Sequence, residues 1–301
     1  MLCVAVGYLL LELRQARELI DERAVVTIPN SEVKILLPEP KLRVFEIPEK
    51  LTFAGENVPL TESEVRERFE RELYVNAYWE SNMLLLMKRS TKYMPTIEHI
   101  LRENGIPDDF KYLAMAESGL LNVVSHAGAR GFWQIMPGTA KDYKLEVNDE
   151  VDERYHLEKS TQVACKYFRS AFARFGNWTS VAASYNMGIA GLSKRKEEQR
   201  FTNYYDLFLN EETSRYVFRI LAFKEIFENP QKYGFDLSSK DFYEAPLYRE
   251  LKVDQSIPSL ANWAIRHNSS YKKLKQHNPW LRSNKLTVKK GKSYIIKLPL
   301  D

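Results

Sequence analysis

Hydrophobic residues recur every three or four positions along most of the chain, which is the spacing of amphipathic helices. One such pattern begins after Thr61, and Thr61 with Glu64 three residues later has the form of a capping box. TIEHILRENG predicts a helix that ends at Gly105, and PDDFKYLAMAES predicts one that begins at Pro107 and ends at Gly119. Further helices are predicted in KSTQVACKYFRSAFARFG, WTSVAASYNMGIAGL and EETSRYVFRILAFKEIFENP. The sequence therefore predicts a mostly α-helical fold.

Two regions depart from this helical pattern. Residues 25–59 contain five prolines and short extended runs, which predict a linker or wrapping arm and not a core element. From Pro246 the chain predicts a strand in YRELKV, short helices in SIPSLANWAIRHN and SYKKLKQHN, and a closing strand in KSYIIKLP. This order is a βααβ module, of a size that suits an independent small domain. We therefore predict three parts, residues 1–40, 41–245 and 246–301.

The chain begins with the apolar stretch MLCVAVGYLLLELRQ. Its uncharged run, residues 2–11, is too short to span a bilayer but has the length of the apolar centre of a signal peptide. No basic residue precedes this run, so two interpretations stay open: a shortened export signal or anchor, and an ordinary buried helix. Residues 1–40 are accordingly interpreted as an export signal or anchor remnant followed by a linker.

Cysteine and histidine give no sign of metal or disulfide chemistry. The chain has two cysteines, Cys3 and Cys165, and Cys165 lies among apolar residues at helical spacing, so we predict a buried thiol. The five histidines are scattered and form no HExxH or cysteine–histidine cluster. We therefore predict neither a metal nor an organic cofactor.

Charge is distributed unevenly along the chain. Residues 246–301 contain 12 Lys and Arg against 3 Asp and Glu, whereas the preceding 245 residues contain 32 against 37. A basic tail on an acidic body suits an anionic partner such as nucleic acid, a membrane or an acidic polymer, although a solvated surface is the simpler explanation. No basic face is interleaved with a nucleic-acid-binding motif, so we do not expect nucleic acid as the partner.

One acidic residue, Glu117, stands at the end of an apolar helix, in AMAESGLLNVVSHAGARGFWQIMPGTA. A carboxylic acid held against apolar groups loses hydration of its charged form, so its pKa rises and it can act as a general acid near neutral pH. The negative end of the helix dipole acts in the same direction. Phe132 and Trp133 can supply the apolar wall and the flat faces on which a sugar ring stacks. This pattern predicts a catalytic carboxyl beside a sugar-binding surface.

Glycoside cleavage commonly uses two carboxylates, and the sequence offers no clear partner for Glu117. The acids downstream lie in or near VNDEVDER, which we interpret as a solvated acidic loop; they are Asp142, Glu146, Asp149, Glu150, Asp152 and Glu153. SYNMG contains no acid. Some glycosidases recruit a group of the substrate in place of the second carboxylate, and a single protein acid suits that chemistry.

Four motifs occur in order along the chain: ESG, SHAGARGFWQIMPGTA, ASYNMG and EETSRYVFRILAFKE. In this order they resemble family 1 lytic transglycosylases, and most of all their membrane-bound D type. The resemblance covers roughly residues 58–235 and implies a goose-lysozyme-like, mostly helical catalytic domain in residues 41–245. The βααβ module resembles LysM, which implies peptidoglycan binding. In typical LysM modules, the loops that correspond to residues 254–257 and 278–281 contact N-acetylglucosamine.

The resemblance also implies roles for individual residues. Glu117 is implied to be the general acid and base, and Ser118 to orient its carboxyl or touch substrate. The other residues that match family motifs are implied to contact substrate: Ser125, Gln134, Tyr185, Asn186 and Tyr216. With the aromatic pair Phe132 and Trp133, they make up the predicted substrate-binding set.

The implied activity is cleavage of the β-1,4 bond between N-acetylmuramic acid and N-acetylglucosamine in peptidoglycan, with 1,6-anhydro ends as the product. The implied partner is the peptidoglycan glycan strand, with membrane association through the N-terminal segment. The implied location is the bacterial cell envelope, periplasmic or membrane-anchored. Two alternatives stay open: a muramidase that uses the same Glu117 with water, and a non-catalytic protein that binds cell-wall glycan.

Overall fold

The computed structural model describes residues 25–28, 31–34 and 42–300. The apolar stretch at residues 2–11 and Cys3 lie outside the described residues, and so do the interpretations placed on them. Among the residues that are described, none of the helices combines the length and the apolar character needed to cross a membrane.

The chain divides into two compact units, Met1–Glu46 and Ile47–Asp301. In the first unit, β1 (Val25–Ile28) and β2 (Ser31–Lys34) pair as an antiparallel hairpin. The helical body and the C-terminal module both belong to the second unit. The predicted boundary near residue 40 therefore lies close to a division between units, whereas the boundary at 246 falls inside one.

The second unit is mostly α-helical, and the predicted fold class is confirmed. In chain order, the helices of its body are α1 (Ser63–Tyr78), α2 (Glu80–Glu103), α3 (Phe110–Ser118), α4 (Pro137–Asp142), α5 (Leu157–Phe175), α6 (Trp178–Met187), α7 (Ile189–Gln199) and α8 (Glu211–Glu228). Helix α8 is buried along most of its length and packs against α1, α3 and α6. The end of α3, which carries Glu117, therefore lies beside α8.

The start of α1 differs from the prediction. The helix begins at Ser63 with Glu62 in the N-cap position, and no side chain caps it. The predicted capping box of Thr61 and Glu64 is therefore wrong. Glu64 instead pairs with Arg68 one turn later, at 3.0 Å.

The start of α2 also differs from the prediction. The helix begins at Glu80 and continues through Pro95, whereas the sequence predicts a start after that proline. Met94 and Ile97, on either side of Pro95, are both buried. Burial of the apolar face on both sides outweighs the cost of an interior proline, about 3 kcal/mol.

Glycines end the helices near the site. Gly119 ends α3 in the left-handed conformation at φ 58°, as predicted, and Gly176 does the same for α5 at φ 71°. Gly188 breaks WTSVAASYNMGIAGL into α6 and α7, with φ 85° and ψ 148°. The sequence predicts one continuous helix there. That prediction is wrong, because the structure has two helices separated by Gly188.

Residues 51–58 belong to the core, which corrects the predicted arm. Strands β3 (Thr52–Phe53) and β4 (Glu56–Asn57) form a short antiparallel hairpin. Phe53 is fully buried, and its ring lies 5.2 Å from that of Phe110. The carboxylate of Glu56 accepts a hydrogen bond from the backbone N–H of Thr179 at 2.9 Å, at the start of α6. This part of the proline-rich stretch is therefore a structural element of the body.

The C-terminal module has the predicted βααβ order. It consists of β5 (Tyr248–Val253), α9 (Leu260–Arg266), α10 (Tyr271–His277) and β6 (Tyr294–Pro299). Strands β5 and β6 pair antiparallel, with Val253 opposite Tyr294. All four elements coincide with segments that the hydrophobic pattern predicts.

The module shares its core with the helical body. Val151 and Tyr155, from the segment before α5, are 1% and 3% exposed and belong to one apolar cluster with the buried side chains of the module. Trp263 and Trp280 are part of the same cluster, so both are core residues. Two residues of the module's apolar core therefore come from outside the module.

Residues 146–158, which we name the acidic segment, form the surface of the helical body against which the module packs. Asp152 and Arg154 are buried and paired, with 2.8 Å between the carboxylate and the guanidinium. The backbone N–H of Asp152 donates to the carbonyl of Trp280 at 2.9 Å. The interpretation of VNDEVDER as a solvated loop is therefore wrong for residues 151–154, which are buried, whereas residues 147–149 are exposed.

Ion pairs reinforce this contact. They join lysines of the module to glutamates of the acidic segment: Lys292 to Glu146, Lys285 to Glu150 and Lys297 to Glu158. Although burial opposes the effect, hydrogen bonds from His156 and Lys297 lower the pKa of Glu158 to about 2. Three of the positive charges in the basic C-terminal module are therefore paired with acidic residues of the helical body.

The same contact covers a loop that the LysM resemblance assigns to sugar binding. In residues 278–281, Asn278 and Leu281 have no exposed surface and Trp280 is 4% exposed. Ile257, in the other such loop, is also buried. The expected contact of residues 278–281 with N-acetylglucosamine is therefore not available in this arrangement.

Candidate active site

Glu117 lies on the last turn of α3, with its carboxyl at the end of an apolar helix. Phe110, Leu113 and Ala114 of this helix are fully buried, and the helix stops at Gly119. The side chain of Glu117 is partly exposed, so protein surrounds the carboxyl while a route from solvent remains. This is the setting that the sequence predicts for a general acid.

Tyr216 of α8 donates a hydrogen bond from its hydroxyl to Oε1 of Glu117. Burial raises the pKa of Glu117 to about 7, and the Tyr216 hydrogen bond opposes this rise. The negative charge of Glu212 adds to the rise, whereas the positive charge of Arg219 opposes it. The carboxyl is therefore divided between its two protonation states near neutral pH.

Glu212 is a second carboxylate at the site, and sequence reasoning missed it. It precedes Tyr216 by four residues on α8, so both lie on one face of the helix. Nδ2 of Asn186 donates to Oε1 of Glu212 at 3.0 Å, and Oδ1 of Asn186 accepts from Thr213 at 2.7 Å. The inference that Glu117 has no acid nearby is therefore wrong. The spacing within EETSRYVF is the signal that could have indicated it.

Arginines around the site are held by a buried acid and by backbone. Glu72 of α1 is 1% exposed and pairs with Arg215 at 2.5 Å and with Arg219 at 3.5 Å. Arg89 of α2 donates to the carbonyl of Gly119, the residue that ends α3. None of these arginines belongs to the predicted set, because their partners lie far away in the chain.

Tyr185 lies in the same cluster as Glu117. Its hydroxyl donates to the carbonyl of Trp133 at 2.7 Å. Burial, and then the negative charge of Glu117, hold the pKa of Tyr185 well above its usual range. Tyr185 and Tyr216 therefore remain neutral hydrogen-bond donors beside the acid.

Ser118 does not orient the carboxyl of Glu117. Its hydroxyl is buried and donates to the carbonyls of Phe132 at 2.8 Å and Ala114 at 3.1 Å. The predicted orientation of the carboxyl by Ser118 is therefore wrong, whereas substrate contact by Ser118 stays a prediction. The Ser118 hydroxyl joins the end of α3 to the segment that carries GFWQ.

Phe132 and Trp133 do not offer faces on which a sugar can stack. They are 3% and 0% exposed. Nε1 of Trp133 donates to Thr161 at 2.8 Å, and the ring packs edge-on against Tyr185. The pair forms an inner apolar wall, as predicted, but the predicted stacking surface is wrong. The exposed apolar residues near Glu117 in the sequence are instead Leu121, Val123, Val124 and Met136.

Ser125 and Gln134 shape the loop between α3 and α4. Oγ of Ser125 accepts from the backbone N–H of Ala129 at 3.0 Å. Nε2 of Gln134 donates to the carbonyl of Gly131 at 2.8 Å, and Gln134 itself adopts a positive φ of 44°. These contacts lie within the loop, so substrate contact by either residue stays a prediction.

Gly131 is the point where this loop touches the acidic segment. Its φ is +80°, and a Cβ at this position would lie 2.0 Å from the carbonyl oxygen of Arg154. Only glycine fits such a close approach of two backbones. Gly128, in the same loop, has a similar φ of +83° but open space around it.

Cys165 is a free, fully buried thiol, as predicted, and burial raises its pKa to about 12. Within the described part of the chain, no group of three or more His, Cys, Asp or Glu side chains could hold a metal ion.

Residues 94–208 match the family described as the transglycosylase SLT domain. The chain carries a transglycosylase SLT domain. Glu117 and Tyr185 fall inside the match to the SLT domain, and Tyr216 lies just beyond it. Residues 249–301 match the soluble lytic transglycosylase C-terminal LysM-like domain. Both parts of the resemblance drawn from the motifs are thereby confirmed.

Curated relatives of this chain include membrane-bound lytic murein transglycosylase D of Escherichia coli. It is 27% identical over 238 residues, which cover 77% of this chain and 51% of that protein. The same protein from a second strain of Escherichia coli gives the same values. The chain thus spans about half the length of the curated relatives it matches.

Solved structures that are similar to this chain include two lytic transglycosylases. The 70 kDa soluble enzyme of Escherichia coli gives a TM-score of 0.40 at 22% identity, over 51% of this chain and 27% of that chain. An inactive mutant of Slt from Pseudomonas aeruginosa gives 0.36 at 16% identity, over 50% and 26%.

Proposed function

We propose that the chain is a lytic transglycosylase that cleaves the β-1,4 bond between N-acetylmuramic acid and N-acetylglucosamine in peptidoglycan and forms 1,6-anhydro ends. One observation carries the proposal: within an SLT domain, Glu117 has a pKa raised to about 7 and receives a hydrogen bond from Tyr216. An acid with such a pKa can both donate and accept a proton at neutral pH.

In the first step, neutral Glu117 donates its proton to the glycosidic oxygen as the bond to the muramic acid breaks. Positive charge develops at C1 of that sugar, and the acetamido group of the same sugar shares it. N-acetylglucosamine leaves with its 4-hydroxyl restored. The Tyr216 hydrogen bond then stabilises the carboxylate that forms at Glu117.

In the second step, the Glu117 carboxylate accepts the proton of the C6 hydroxyl of the muramic acid. The C6 oxygen attacks C1, which closes the 1,6-anhydro ring and consumes no water. Such an intramolecular attack has an effective molarity on the order of 10⁵ M or more when its geometry is right. Glu117 ends the cycle protonated and ready for another strand.

A muramidase is the second candidate, and Glu212 is the observation that favours it. Inverting glycosidases use one carboxyl as acid and another as the base that activates water. Glu212 is exposed, is held by Asn186 and is close enough to raise the pKa of Glu117. In this alternative, water would replace the C6 hydroxyl as the nucleophile.

Mass spectrometry of the products from digested sacculi separates the candidates. A transglycosylase gives muramic ends that are lighter by one water than the reducing ends of a hydrolase. We expect the anhydro ends. Reducing ends would favour the muramidase, and intact sacculi would favour a non-catalytic glycan-binding protein.

The substitution Glu117→Gln tests the catalytic acid, because it removes the titrating proton and keeps the size of the side chain. We expect release of soluble muropeptides to fall by roughly 10²–10⁴-fold, the usual contribution of a general acid. Sacculus binding should stay within about twofold. Glu103→Gln, on the exposed side of α2, is the matched control and should leave both unchanged. Full activity in Glu117→Gln would remove Glu117 from the mechanism.

We also propose that the chain acts in the bacterial cell envelope on glycan strands. The name of its curated relative, a membrane-bound murein transglycosylase, supports that location. Anchoring through residues 1–40 is the finer proposal. Cell fractionation, with N-terminal sequencing of the mature protein, tests both.

A further inference from the structure

Glu72 of α1 is a buried acid that has no part in the proposed steps at Glu117. Its side chain is 1% exposed, although a carboxylate loses most of its hydration when it is buried. Phe69 and Leu73, on either side of it in α1, are fully buried apolar residues. An apolar side chain of similar size often stabilises such a position as well as an ion pair does. The presence of an acid here therefore has a reason other than packing.

Glu72 bridges two arginines of α8, the helix against which α1 packs. Oε1 of Glu72 accepts a hydrogen bond from Nε of Arg215 at 2.5 Å, and Nε of Arg219 lies 3.5 Å from Oε2 of Glu72. Arg215 and Arg219 are four residues apart, so they lie one helical turn apart on the same face. Tyr216, which donates to Glu117, stands between them in the chain. Glu72 therefore contacts α8 on both sides of the turn that carries Tyr216.

The two contacts of Glu72 differ in kind. The contact with Arg215 is a hydrogen bond, whereas Oε2 of Glu72 is buried and accepts no hydrogen bond from the described residues. The 3.5 Å to Arg219 is longer than an ordinary N–H···O hydrogen bond, so charge attraction holds this guanidinium. The side chain of Arg219 is 33% exposed and has room to move. The position of Arg219 therefore depends on the negative charge of Glu72.

Arg219 is close enough to act on Glu117. It follows Tyr216 by three residues, so the two side chains are neighbours on the surface of α8. Burial raises the pKa of Glu117, and the positive charge of Arg219 opposes that rise. An arginine that pairs directly with a carboxylate lowers its pKa by about 1–3 units. A direct pair of Arg219 with Glu117 would therefore keep the acid ionised at neutral pH.

The other groups around Glu117 do not pose this problem. Among the described residues, the charged and titratable groups that lie around Glu117 on the elements packed near α3 are Arg89 of α2, Tyr185 of α6, and Glu212, Tyr216 and Arg219 of α8. The tyrosines stay neutral, and Glu212 favours the neutral form of Glu117. Arg89 is bound to the carbonyl of Gly119. Arg219 is therefore the cation whose position decides the charge of Glu117.

We propose that Glu72 is a positioning residue that holds the guanidinium of Arg219 away from the carboxyl of Glu117. With Arg219 held in this way, the hydroxyl of Tyr216 is the group that donates to Glu117. Without Glu72, the guanidinium would turn to Glu117 and pair with its carboxylate, which has no proton to donate. The proposal rests on the proposed function, because a mechanism that begins with neutral Glu117 is the one that needs this protection.

The test measures kcat/KM against pH for Glu72→Gln, Arg219→Gln and the double variant. In Glu72→Gln, the lost negative charge and the released Arg219 both lower the pKa of Glu117, so the descending limb should move to lower pH by about one unit. Activity at pH 7 should then fall about fivefold, because the protonated fraction of Glu117 falls from about one half to about one tenth. Arg219→Gln alone should move the limb to higher pH. The double variant should recover most of the activity that Glu72→Gln loses.

Glu225→Gln is the matched control. Glu225 is another buried and paired acid, 6% exposed and 3.2 Å from Lys232, near the other end of α8. Its replacement should leave the limb in place. An unchanged limb in Glu72→Gln, or no recovery in the double variant, would overturn the proposal and leave Glu72 a structural bridge between helices. If Glu72→Gln does not fold, Arg219→Gln decides, because an unchanged limb in that variant also overturns the proposal.

A second measurement does not depend on catalysis. Carboxyl ¹³C NMR of protein labelled at glutamate gives the pKa of Glu117 directly, with the signal assigned by its absence in Glu117→Gln. The pKa should fall in Glu72→Gln and rise in Arg219→Gln, as the limbs do. If wild type cleaves no glycan but the titrations show these shifts, the proposed function fails and the role of Glu72 stands.

Discussion

At the scale of single residues, the behaviour of Glu117 results from four influences that meet at the end of α3. Burial and the charge of Glu212 favour the neutral acid, whereas the Tyr216 hydrogen bond and the charge of Arg219 favour the carboxylate. The balance gives a pKa of about 7, which lets one side chain serve as acid and then as base.

The two neighbours of Glu117 should move its pKa in opposite directions. In the proposed mechanism protonated Glu117 starts the reaction, so the rate should fall as the pH rises through about 7. Tyr216→Phe removes a hydrogen bond to the charged form, so the pKa rises and the descending limb moves to higher pH by about one unit. Glu212→Gln removes a negative charge, so the pKa falls and the limb moves to lower pH. The measurement is kcat/KM against pH, with Glu103→Gln as a control that should not move. Shifts of both limbs in one direction would contradict this account.

The sequence predicts the acid itself but only part of its surroundings. An apolar helix that ends in Glu-Ser-Gly is visible within one local stretch, so the raised pKa of Glu117 can be expected from it. Tyr216 is found through its motif, although 99 residues separate it from Glu117. Glu212 is indicated only by its spacing of four residues from Tyr216. Arg219 and Arg89 reach the site through helix packing, which no local pattern encodes.

At the scale of elements, the loop between α3 and α4 is fixed by one close backbone contact. Gly131 approaches the carbonyl of Arg154 so closely that no side chain fits. Arg154 is in turn paired with the buried Asp152. The loop that carries GFWQ is therefore held at two points, to the acidic segment at Gly131 and to α3 through Ser118.

Gly131→Ala should destabilise the protein far more than Gly128→Ala. Both positions have a positive φ, which costs an alanine about 1 kcal/mol, but only the Cβ at Gly131 would meet backbone, 2.0 Å away. We expect a loss of roughly 3 kcal/mol or more in the free energy of unfolding for Gly131→Ala and about 1 kcal/mol for Gly128→Ala. Urea denaturation followed by circular dichroism measures both. Equal losses would mean that the loop moves away from Arg154 at little cost.

Helix ends show what a local pattern can and cannot predict. Glycines at 119 and 176 end helices as expected, because a left-handed C-cap is a property of the residue itself. Pro95 does not end α2, because burial of Met94 and Ile97 outweighs its local cost. Thr61 does not cap α1, so a capping signature alone does not fix where a helix begins.

At the scale of the whole molecule, the helical body and the C-terminal module pack against each other within the second unit. The hydrophobic pattern predicts every strand and helix of the module, but it does not predict which outside residues complete the packing. Val151 and Tyr155 lie in a stretch whose acidic character suggests solvent exposure. Lysines of the module pair with Glu146, Glu150 and Glu158, and residues 151–155 are buried, so an acidic stretch contributes to the core.

Val151→Ala should therefore loosen the module, although the residue lies outside it. Val151 is 1% exposed within the module cluster, and its truncation should cost roughly 2 kcal/mol. Hydrogen exchange of the amides in β5 and β6 should accelerate, while exchange in α8 stays unchanged. Val163→Ala, a truncation of another buried valine in α5, is the matched control and should leave exchange in β5 and β6 unchanged. Unchanged exchange in β5 and β6 would show that the module holds its core without Val151.

The docking of the acidic segment also bears on how such chains can be recombined. In a chimera joined at residue 245, Val151 and Tyr155 would lose the module side chains against which they pack. The transplanted module would have a cavity in its core. A viable exchange must carry residues 146–158 along with the tail. The module and the acidic segment form one packing unit that is discontinuous in sequence, and a fusion at residue 245 would divide it.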